Sequence, residues 1–429
     1  MFSAYLRLQL HWQILIALGL AVLAGLTTGT DAGVFDITFY QLYDFFGTLF
    51  LNALKMLIVP LIISSIIVGM MGIGSGERLG RLGGKTIAYY AITSLLAILT
   101  GLIMVNITAP GIVDGLSVKE MIGLSAETEQ VFANIDGKGA GDIVDVFLRM
   151  VPVNIVSAAA NGQMLGLIFF SLLFGYFLTR IKEPQGSVLR HFWQGVLDVM
   201  MEMTNWVMKF APLGVFALVA KVIASSGIDV FKPLAVFFFT VIISLAIHFL
   251  LILPLILKTI AKVSPWRHFN AMSPALLTAF STSSSSATLP VTIDCVEQRA
   301  GVSNNVSSFT LPLGATVNMD GTALYECVAA MFIAQAYGLE LSFATQFMIV
   351  LIALLTSIGV AGIPSASLVA ISIILGAIGL PLEGIGLILA VDRVLDMCRT
   401  AVNVFSDSVA AVVIARLEGE TNVLQKEII

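Results

Sequence analysis

The apolar stretch from Val391 to Ala415 is long enough to cross a membrane, yet it carries a row of strongly polar residues. These are Asp392, Asp396, Arg399, Asn403 and Asp407. At about 100° per residue on an α-helix, they fall within roughly 80° of one another. Each ionised Asp or Arg costs about 2.5 to 3.5 kcal/mol in a bilayer core, so such a stripe has to face a protein interior or a watery cavity. We therefore predict a binding site along this helix.

Composition assigns the whole chain to the membrane. Of 429 residues, 58% are hydrophobic and 11% charged, whereas about a quarter of a soluble domain is charged. The net charge of -5 and the lack of a basic cluster exclude nucleic acid as a partner. The three cysteines lie far apart without metal-ligand spacing, so we interpret them as reduced packing residues.

An enzyme is not predicted. The four histidines are scattered near the ends of predicted spans, and no pair of nucleophile and base is visible. We interpret these histidines as interfacial residues. No cofactor is expected.

Six apolar runs of about twenty or more residues precede position 271, and each can cross the membrane. They are His11–Gly29, Leu42–Gly72, Thr86–Ile107, Val146–Thr179, Val196–Ala224 and Pro233–Leu257. Lys and Arg follow the second, fourth and sixth runs, which makes those sides cytoplasmic and puts both chain termini in the cytoplasm. The first run lacks a clear cleavage site and is predicted to be a retained span. We expect a multi-pass protein of a plasma membrane, which in a bacterium is the inner membrane.

From Ala271 onward, polar clusters interrupt the apolar runs in their middles. Irregular backbone at membrane depth is tolerated only where protein or a water-filled cavity surrounds it. The clusters are Ser281–Ser286, Asn318–Thr322 and Ser357–Ser367. We predict a hairpin entering from the cytoplasm, an unwound helix and a hairpin entering from outside. A serine-rich linker is the alternative for the first cluster and a kinked structural helix for the second. Hairpins from opposite faces, each followed by a helix with a polar centre, indicate a transporter with an inverted repeat.

Specific motifs then connect the chain with a family. They are SSSSATLPVT (Ser283–Thr292), NMDGTALYE (Asn318–Glu326), GIPSAS (Gly362–Ser367) and DMCRTAVNVFSD (Asp396–Asp407). Over nearly its whole length the chain resembles the dicarboxylate/amino acid:cation symporter family, which includes glutamate/aspartate transporters and the excitatory amino acid transporters. The fold that the resemblance implies is an all-α polytopic membrane protein with eight transmembrane helices, two re-entrant helical hairpins and an inverted repeat.

The resemblance also implies how these elements divide. A static scaffold would comprise 1–73 and 145–225, holding spans 1, 2, 4 and 5, and a mobile transport part 84–108 and 230–417. In the transport part, hairpin 1 would run over about 269–296, span 7 over about 303–337, hairpin 2 over about 343–380 and span 8 over about 385–416. The family works as a homotrimer in membrane lipid, and its transport parts slide across the membrane in an elevator mechanism.

Function is implied in the same way: uptake of L-glutamate or L-aspartate with Na⁺ and a proton. Asp396 resembles the ligand of the substrate ammonium and Arg399 that of the side-chain carboxylate, for which the Arg fork is suited. Thr322, Thr400 and Asn403 complete the cup. The hairpin residues expected to hold the substrate α-carboxylate or line the cup are Ser284, Ser285, Ser286, Gly362, Ile363, Pro364, Ser365 and Ala366.

Three sodium sites are implied by the resemblance, with Na⁺ as coupling ion. The first consists of Gly314, Asn318, Asn403 and Asp407. The second uses the backbone of Thr316, Ser357, Ile358 and Val360. The third consists of Tyr90, Thr93, Ser94, Asn318 and Asp320. Glu326 stands where the proton-coupled branch also has Glu, and burial near other carboxylates favours a carboxyl that carries a proton.

The sequence departs from the family in one respect that concerns coupling. Relatives carry an arginine either at the first hairpin tip, here Ser283, or beside the ammonium ligand, here Met397.

Three other functions are alternatives to the uptake of acidic amino acids. Transport of C4-dicarboxylates would make Asp396 a needless buried anion, and a neutral amino acid would leave Arg399 unpaired. An ion channel is the alternative from another class, although two opposed hairpins suit occlusion of one solute better.

Overall fold

The computed structural model describes residues 10–35, 37–71, 77–113, 115–118, 148, 151–160, 164–227, 231–357, 366–380 and 384–424. The described part is mostly helical, in agreement with an all-α membrane protein. The first helices are α1 Leu10–Thr28, α2 Phe39–Met71, α3 Glu77–Thr108, α4 Ile155–Ala160, α5 Met164–Leu178, α6 Gln185–Met208 and α7 Ala211–Ser226. Two short antiparallel hairpins join them, β1 Gly33–Val34 with β2 Ile37–Thr38, and β3 Ile112–Val113 with β4 Leu116–Ser117.

The remaining helices carry the polar interruptions. They are α8 Phe231–Ala261, α9 Pro265–Thr282, α10 Ser285–Asp294, α11 Asn304–Val317, α12 Asp320–Ala336, α13 Phe343–Ser357, α14 Ala366–Ile378 and α15 Ile385–Leu417. Helix α8 contains two wide π-helical turns, His248–Ile252 and Leu257–Ala261, and a third, Cys295–Arg299, follows α10.

Three helices in the described ranges are long and apolar enough to cross a membrane: Leu82–Thr108 within α3, α8, and α15. Helices α6 and α7 pass the same test as a pair, and the chain bends by 54° between Val207 and Ala211. The run Val196–Ala224, predicted as one plain helix, is therefore bent. Pro212 in the first turn of α7 has no N–H to continue the hydrogen bonds of α6.

The helix breaks predicted around Ser283 and Asn318 are present. Ser283 adopts a left-handed conformation with φ 53° and ends α9, and Ser284 caps α10 by accepting from Ala287 N at 3.2 Å. Asn318 and Met319 leave the helical conformation between α11 and α12. The second break is shorter than the predicted Asn318–Thr322, because Asp320 already begins α12. Positions 358–365 of the third interruption lie outside the described residues.

Helix α15 lies at the centre of the larger of two helix groups. Its apolar window is 83% buried, whereas the windows of α3 and α8 are 33% and 39% buried. Helices α3 and α8 to α14 pack around it or on its neighbour α12, and α1, α2, α5, α6 and α7 pack on one another. Helix α7 also contacts α15. Burial on all sides explains how an apolar helix keeps a charged stripe.

The residues after α15 form a C-terminal clamp, which we define as Glu418 to Leu424. Lys85 Nζ of α3 lies 2.6 Å from Glu418 Oε1. Glu420 Oε2 accepts from the backbone N–H of Ser303, just before α11, at 3.0 Å. The clamp thus joins the ends of three helices that are distant in sequence.

Candidate functional site

Four charged side chains of α15 form a buried cluster, which we call the charge quartet: Asp392, Arg393, Asp396 and Arg399. Arg399 Nη1 donates to Asp392 Oδ1 at 3.0 Å, and its Nε donates to Asp396 Oδ1 at 3.1 Å. Arg393 Nη1 donates to Asp396 Oδ2 at 3.1 Å. All four are at most 7% exposed. Two carboxylates and two guanidinium groups cancel in formal charge, which allows the cluster to be buried.

Tyr325 of α12 supports the quartet from the side. Its hydroxyl donates to Asp392 Oδ1 at 2.9 Å, and its ring centroid lies 4.3 Å from Arg399 Cζ. A guanidinium over an aromatic face gains about 0.5 to 2 kcal/mol, most where water is excluded. Tyr325 therefore fixes both the orientation and the partner of Arg399. The sequence analysis missed this residue, although it lies inside the NMDGTALYE motif.

Asn403 connects α15 with the first turn of α12. Its Oδ1 accepts from the backbone N–H of Gly321 at 2.8 Å, and its Nδ2 donates to Thr322 Oγ1 at 3.0 Å. Thr400 Oγ1 donates to the Asp396 carbonyl of its own helix at 2.7 Å. The predicted cup residues thus lie next to one another, and Asn403 satisfies an otherwise free N–H of the α12 N-terminus.

Gly321 is required by this close helix contact. A Cβ at this position would lie 2.6 Å from the Arg399 carbonyl oxygen, which is backbone and cannot move aside. We expect Gly321→Ala to destabilise the protein by about 1 to 3 kcal/mol, the usual cost of overpacking. Thermal unfolding in detergent measures it. Gly386→Ala is the matched control, because nothing lies within 4 Å of its Cβ position. Equal melting temperatures of the two variants would contradict the expectation.

Asp320 accepts hydrogen bonds from three helices. Ser94 Oγ of α3 donates to Oδ1 at 2.7 Å, and Ser406 Oγ of α15 donates to Oδ2 at 2.6 Å. His248 Nε2 in the π turn of α8 lies 3.0 Å from Oδ2, with both side chains 0% exposed. A carboxylate only accepts, so His248 is the donor. These bonds hold Asp320 firmly in the interior.

Two histidines correct the sequence interpretation. His248 and His268 are fully buried rather than interfacial. His268 Nε2 lies 2.9 Å from Ser408 Oγ of α15, and Ser408 in turn donates to the carbonyl of Phe405. The interpretation was wrong because each partner lies on a helix far along the chain.

Several side-chain oxygen atoms lie close together beside the break between α11 and α12. Asn318 Nδ2 donates to Asp407 Oδ1 at 2.9 Å, whereas the buried Asn318 Oδ1 has no hydrogen-bond partner. At Gly314 a Cβ would lie 2.5 Å from Asp407 Oδ1 and 2.8 Å from the Tyr90 hydroxyl. The close approach therefore brings carboxylate, amide and phenol oxygens together, and oxygens are the ligands that Na⁺-like hard cations take.

Three of the other residues predicted to bind sodium donate hydrogen bonds within their own helices. Thr93 Oγ1 donates to the carbonyl of Tyr89 at 3.1 Å, and Thr316 Oγ1 to that of Leu313 at 2.9 Å. Ser357 Oγ donates to the carbonyl of Leu354 at 2.8 Å. Ser94 points at Asp320, as described above. Ile358 and Val360 lie outside the described residues.

The first hairpin tip presents three serines in different settings. Ser284 is the cap of α10, Ser285 is 4% exposed, and Ser286 is exposed. Helices α9 and α10 run antiparallel from this tip, since Arg299 Nη1 donates to the carbonyl of Ala271 at 3.2 Å. Gly362, Ile363, Pro364 and Ser365 lie outside the described residues, and Ala366 begins α14.

Glu326 of α12 is fully buried beside α13. Thr356 Oγ1 lies 3.0 Å from Glu326 Oε2 and 2.9 Å from the Ile352 carbonyl oxygen. Glu326 Oε1 has no hydrogen-bond partner. The Thr356 hydroxyl thus has both the Glu326 carboxyl group and the Ile352 carbonyl as possible acceptors.

Known proteins match almost the entire chain. The model of the sodium:dicarboxylate symporter family matches residues 10–417. The proton/glutamate-aspartate symporter of Escherichia coli is 36% identical over 413 residues, which is 96% of this chain and 94% of the relative. The proton/sodium-glutamate symport protein of Geobacillus stearothermophilus is 35% identical and covers 97% of this chain and 96% of its own length.

The similarity extends to animals. Excitatory amino acid transporter 3 of Mus musculus is 34% identical over 455 aligned residues, covering 96% of this chain and 86% of the relative. The resemblance noted from the motifs is thereby confirmed. The chain belongs to the sodium:dicarboxylate symporter family, a family of transporters and not of enzymes.

Proposed function

We propose that this chain is a secondary active transporter that takes up L-glutamate or L-aspartate together with Na⁺ and H⁺, without a cofactor. The observation that carries this function is the buried pair of Asp396 and Arg399, whose Oδ1 and Nη2 lie 2.8 Å apart. An acidic amino acid offers an ammonium for the first and a carboxylate for the second. Arg399 Nη2 is in ion-pair contact with Asp396 Oδ1 but donates no hydrogen bond to it, so its N–H groups can donate to a substrate carboxylate.

The names of the relatives support this substrate and these ions. The Escherichia coli relative is named for glutamate, aspartate and protons, and the Geobacillus relative for glutamate, sodium and protons. The charge quartet fits such a solute. The substrate ammonium would replace a guanidinium beside Asp396, and the substrate carboxylate would replace an aspartate beside Arg399, so that every charge in this water-free environment keeps a partner.

Further residues would complete the cup. Thr322, Thr400 and Asn403 adjoin the quartet through the bonds described above. The α-carboxylate would lie at the N-terminus of α10, where Ser284, Ser285 and Ser286 and a positive helix end favour an anion. Hairpin 2 would close over the substrate from the other side, through Gly362, Ile363, Pro364, Ser365 and Ala366.

For sodium, the described residues fit best at the first site. Gly314, Asn318, Asn403 and Asp407 would coordinate the ion there, and the unpartnered Asn318 Oδ1 is a ready ligand. A second ion would use the backbone of Thr316, Ser357, Ile358 and Val360. A third would use Tyr90, Thr93, Ser94, Asn318 and Asp320.

Glu326 would carry the proton. When Thr356 donates its one hydroxyl hydrogen to the Ile352 carbonyl, its oxygen accepts from a protonated Glu326. In this arrangement both the Thr356 hydroxyl and the protonated Oε2 of Glu326 have a hydrogen-bond partner, whereas an ionised carboxylate would be buried without a charged partner.

We expect Glu326→Gln to make uptake insensitive to an imposed pH gradient, because Gln resembles the protonated acid but cannot release a proton. Sodium-dependent exchange of substrate should persist. Uptake into proteoliposomes at pH gradients of either sign measures the effect, and Glu202→Gln on an exposed face of α6 is the matched control. A Gln variant that responds to the gradient like the parent would assign the proton to another group.

The architecture we propose has eight transmembrane helices and two re-entrant hairpins, in the ranges given by the resemblance. The scaffold comprises 1–73 and 145–225 and the transport part 84–108 and 230–417. Support comes from the two helix groups, one of α1, α2, α5, α6 and α7 and the other around α15. The protein would act as a homotrimer in a plasma membrane, with both termini in the cytoplasm, moving substrate by an elevator mechanism.

One uptake experiment tests this function. Proteoliposomes holding the purified chain receive labelled glutamate, aspartate, serine or succinate under separate gradients of Na⁺, H⁺ or K⁺. We expect saturable, Na⁺-dependent accumulation of glutamate or aspartate, with stimulation by an inward proton gradient. Accumulation of serine but not of either acidic amino acid would refute the substrate class, and flux that neither saturates nor needs a cation gradient would indicate a channel.

A further inference from the structure

Arg393 is a member of the charge quartet that neither the predicted stripe nor the cup includes. It lies about 60° around α15 from Asp396, which is within reach across one helical turn. Its Nη1 donates to Asp396 Oδ2 at 3.1 Å, and its Nε is buried without a hydrogen-bond partner. Its side chain is 8% exposed. A guanidinium held this way is a structural counter-ion, not a solvated surface charge.

The carboxylate of Asp396 is therefore divided between two arginines. Oδ1 faces Arg399, and Oδ2 faces Arg393. The other anion of the quartet, Asp392, receives Arg399 and the Tyr325 hydroxyl on its Oδ1. Asp396 thus has a cationic partner, Arg393, besides the arginine that would bind the substrate carboxylate.

We propose that Arg393 sets how strongly the site discriminates between acidic amino acids and dicarboxylates that lack an amino group. This inference rests on the proposed function, in which Asp396 binds the substrate ammonium. An ammonium and the Arg393 guanidinium compete for the same oxygen, Asp396 Oδ2. Arg393 thereby lowers the gain from an amino group and is a specificity-determining residue.

The same contact lowers the penalty for a substrate without an ammonium. When a dicarboxylate occupies Arg399, Arg393 still neutralises Asp396, so no carboxylate is buried without a cation. Without Arg393, the dicarboxylate would leave Asp396 unpaired, which is the costly case for a buried charge. Selectivity is a difference of two affinities, and Arg393 acts on both in opposite directions.

The experiment compares the parent with Arg393→Gln, Arg393→Lys and the control Arg416→Gln in proteoliposomes. Arg416 is also on α15, but it lies in the last turn of the helix, far from the charge quartet, where its Nε donates to the carbonyl of Ala261. The KM of labelled aspartate and the inhibition constant of succinate are measured for each. The ratio of the two constants is the readout, because a loss of folded protein lowers the maximal rate and leaves that ratio unchanged.

We expect succinate to inhibit the parent competitively. In Arg393→Gln the ratio should shift toward aspartate by about tenfold, which corresponds to about 1.4 kcal/mol. Arg393→Lys should lie between parent and Gln variant, because an ammonium keeps the charge but loses the planar fork. Arg416→Gln should keep the parent ratio.

Two results would overturn the inference: no inhibition of the parent by succinate, or a ratio that changes by less than about twofold in both Arg393 variants. Should Arg393→Gln fail to fold, Arg393→Lys decides by the same criterion. A parent that does not transport aspartate or glutamate at all would instead refute the proposed function, which is thus tested separately.

Discussion

Arg399→Cys is expected to abolish uptake of glutamate and aspartate and to admit neutral amino acids such as serine. Removing the guanidinium leaves a substrate carboxylate desolvated without a partner, at about 2 to 5 kcal/mol. That penalty corresponds to a loss of affinity between about thirtyfold and several thousandfold. The structure adds a second reason, because Arg399 donates to both Asp392 and Asp396, and Tyr325 holds it there.

Competition binding and uptake with labelled glutamate and serine measure this result. Arg190→Cys is the control, because this substitution also introduces a thiol. Arg190 lies in α6 and pairs with Glu183 on the surface, just before that helix. Arg399→Lys separates charge from geometry, because it keeps the cation and loses the two-pronged contact. Unchanged apparent affinity of Arg399→Cys for glutamate would remove this residue from the substrate site.

Asp407→Asn is expected to raise the Na⁺ concentration for half-maximal substrate binding by about tenfold or more, which is about 1.4 kcal/mol. Asp407 Oδ1 accepts from Asn318 Nδ2 and lies against Gly314, so an amide there would remove the one charged ligand of the proposed first sodium site. Affinity at saturating Na⁺ should change less, because Asp407 lies about one turn beyond Asn403 and outside the cup.

Titration of substrate binding with Na⁺ at constant ionic strength gives the half-saturation concentration. Asp198→Asn on the exposed face of α6 serves as the control for loss of one carboxylate. A variant with the sodium dependence of the parent would exclude Asp407 as a ligand. A variant with normal sodium dependence but weaker substrate binding at saturation would assign Asp407 to the cup.

The central helix and its stripe were accessible from the sequence alone. Asp392, Asp396, Arg399, Asn403 and Asp407 are all at most 3% exposed. Charges within an apolar run cannot face lipid, so the pattern itself indicates protein surroundings. The break at Asn318 was accessible for a similar reason, since Asn, Asp and Gly together disfavour a continuous helix.

Hydrogen-bond partners that lie on different helices could not be predicted from the sequence. His248 and Asp320 are separated by 72 positions, and no periodicity relates a π turn of α8 to the first turn of α12. Arg393 was missed for a different reason. It lies about 40° beyond the edge of the stripe, and only the length of its side chain brings it back to Asp396.

The C-terminal clamp has a consequence for biosynthesis. Lys85 and its partner Glu418 are 333 residues apart, and at about 5 to 20 residues per second the ribosome needs roughly 17 to 67 s between them. During that interval α3 is already synthesised, but Lys85 near its N-terminal end has no ion pair with the chain that follows α15. The group around α15 therefore closes late, because its central helix and the clamp are translated after all the other described helices. Until the clamp is synthesised, Lys85 lacks its counter-ion Glu418, and the helices that pack on α15 lack their central partner.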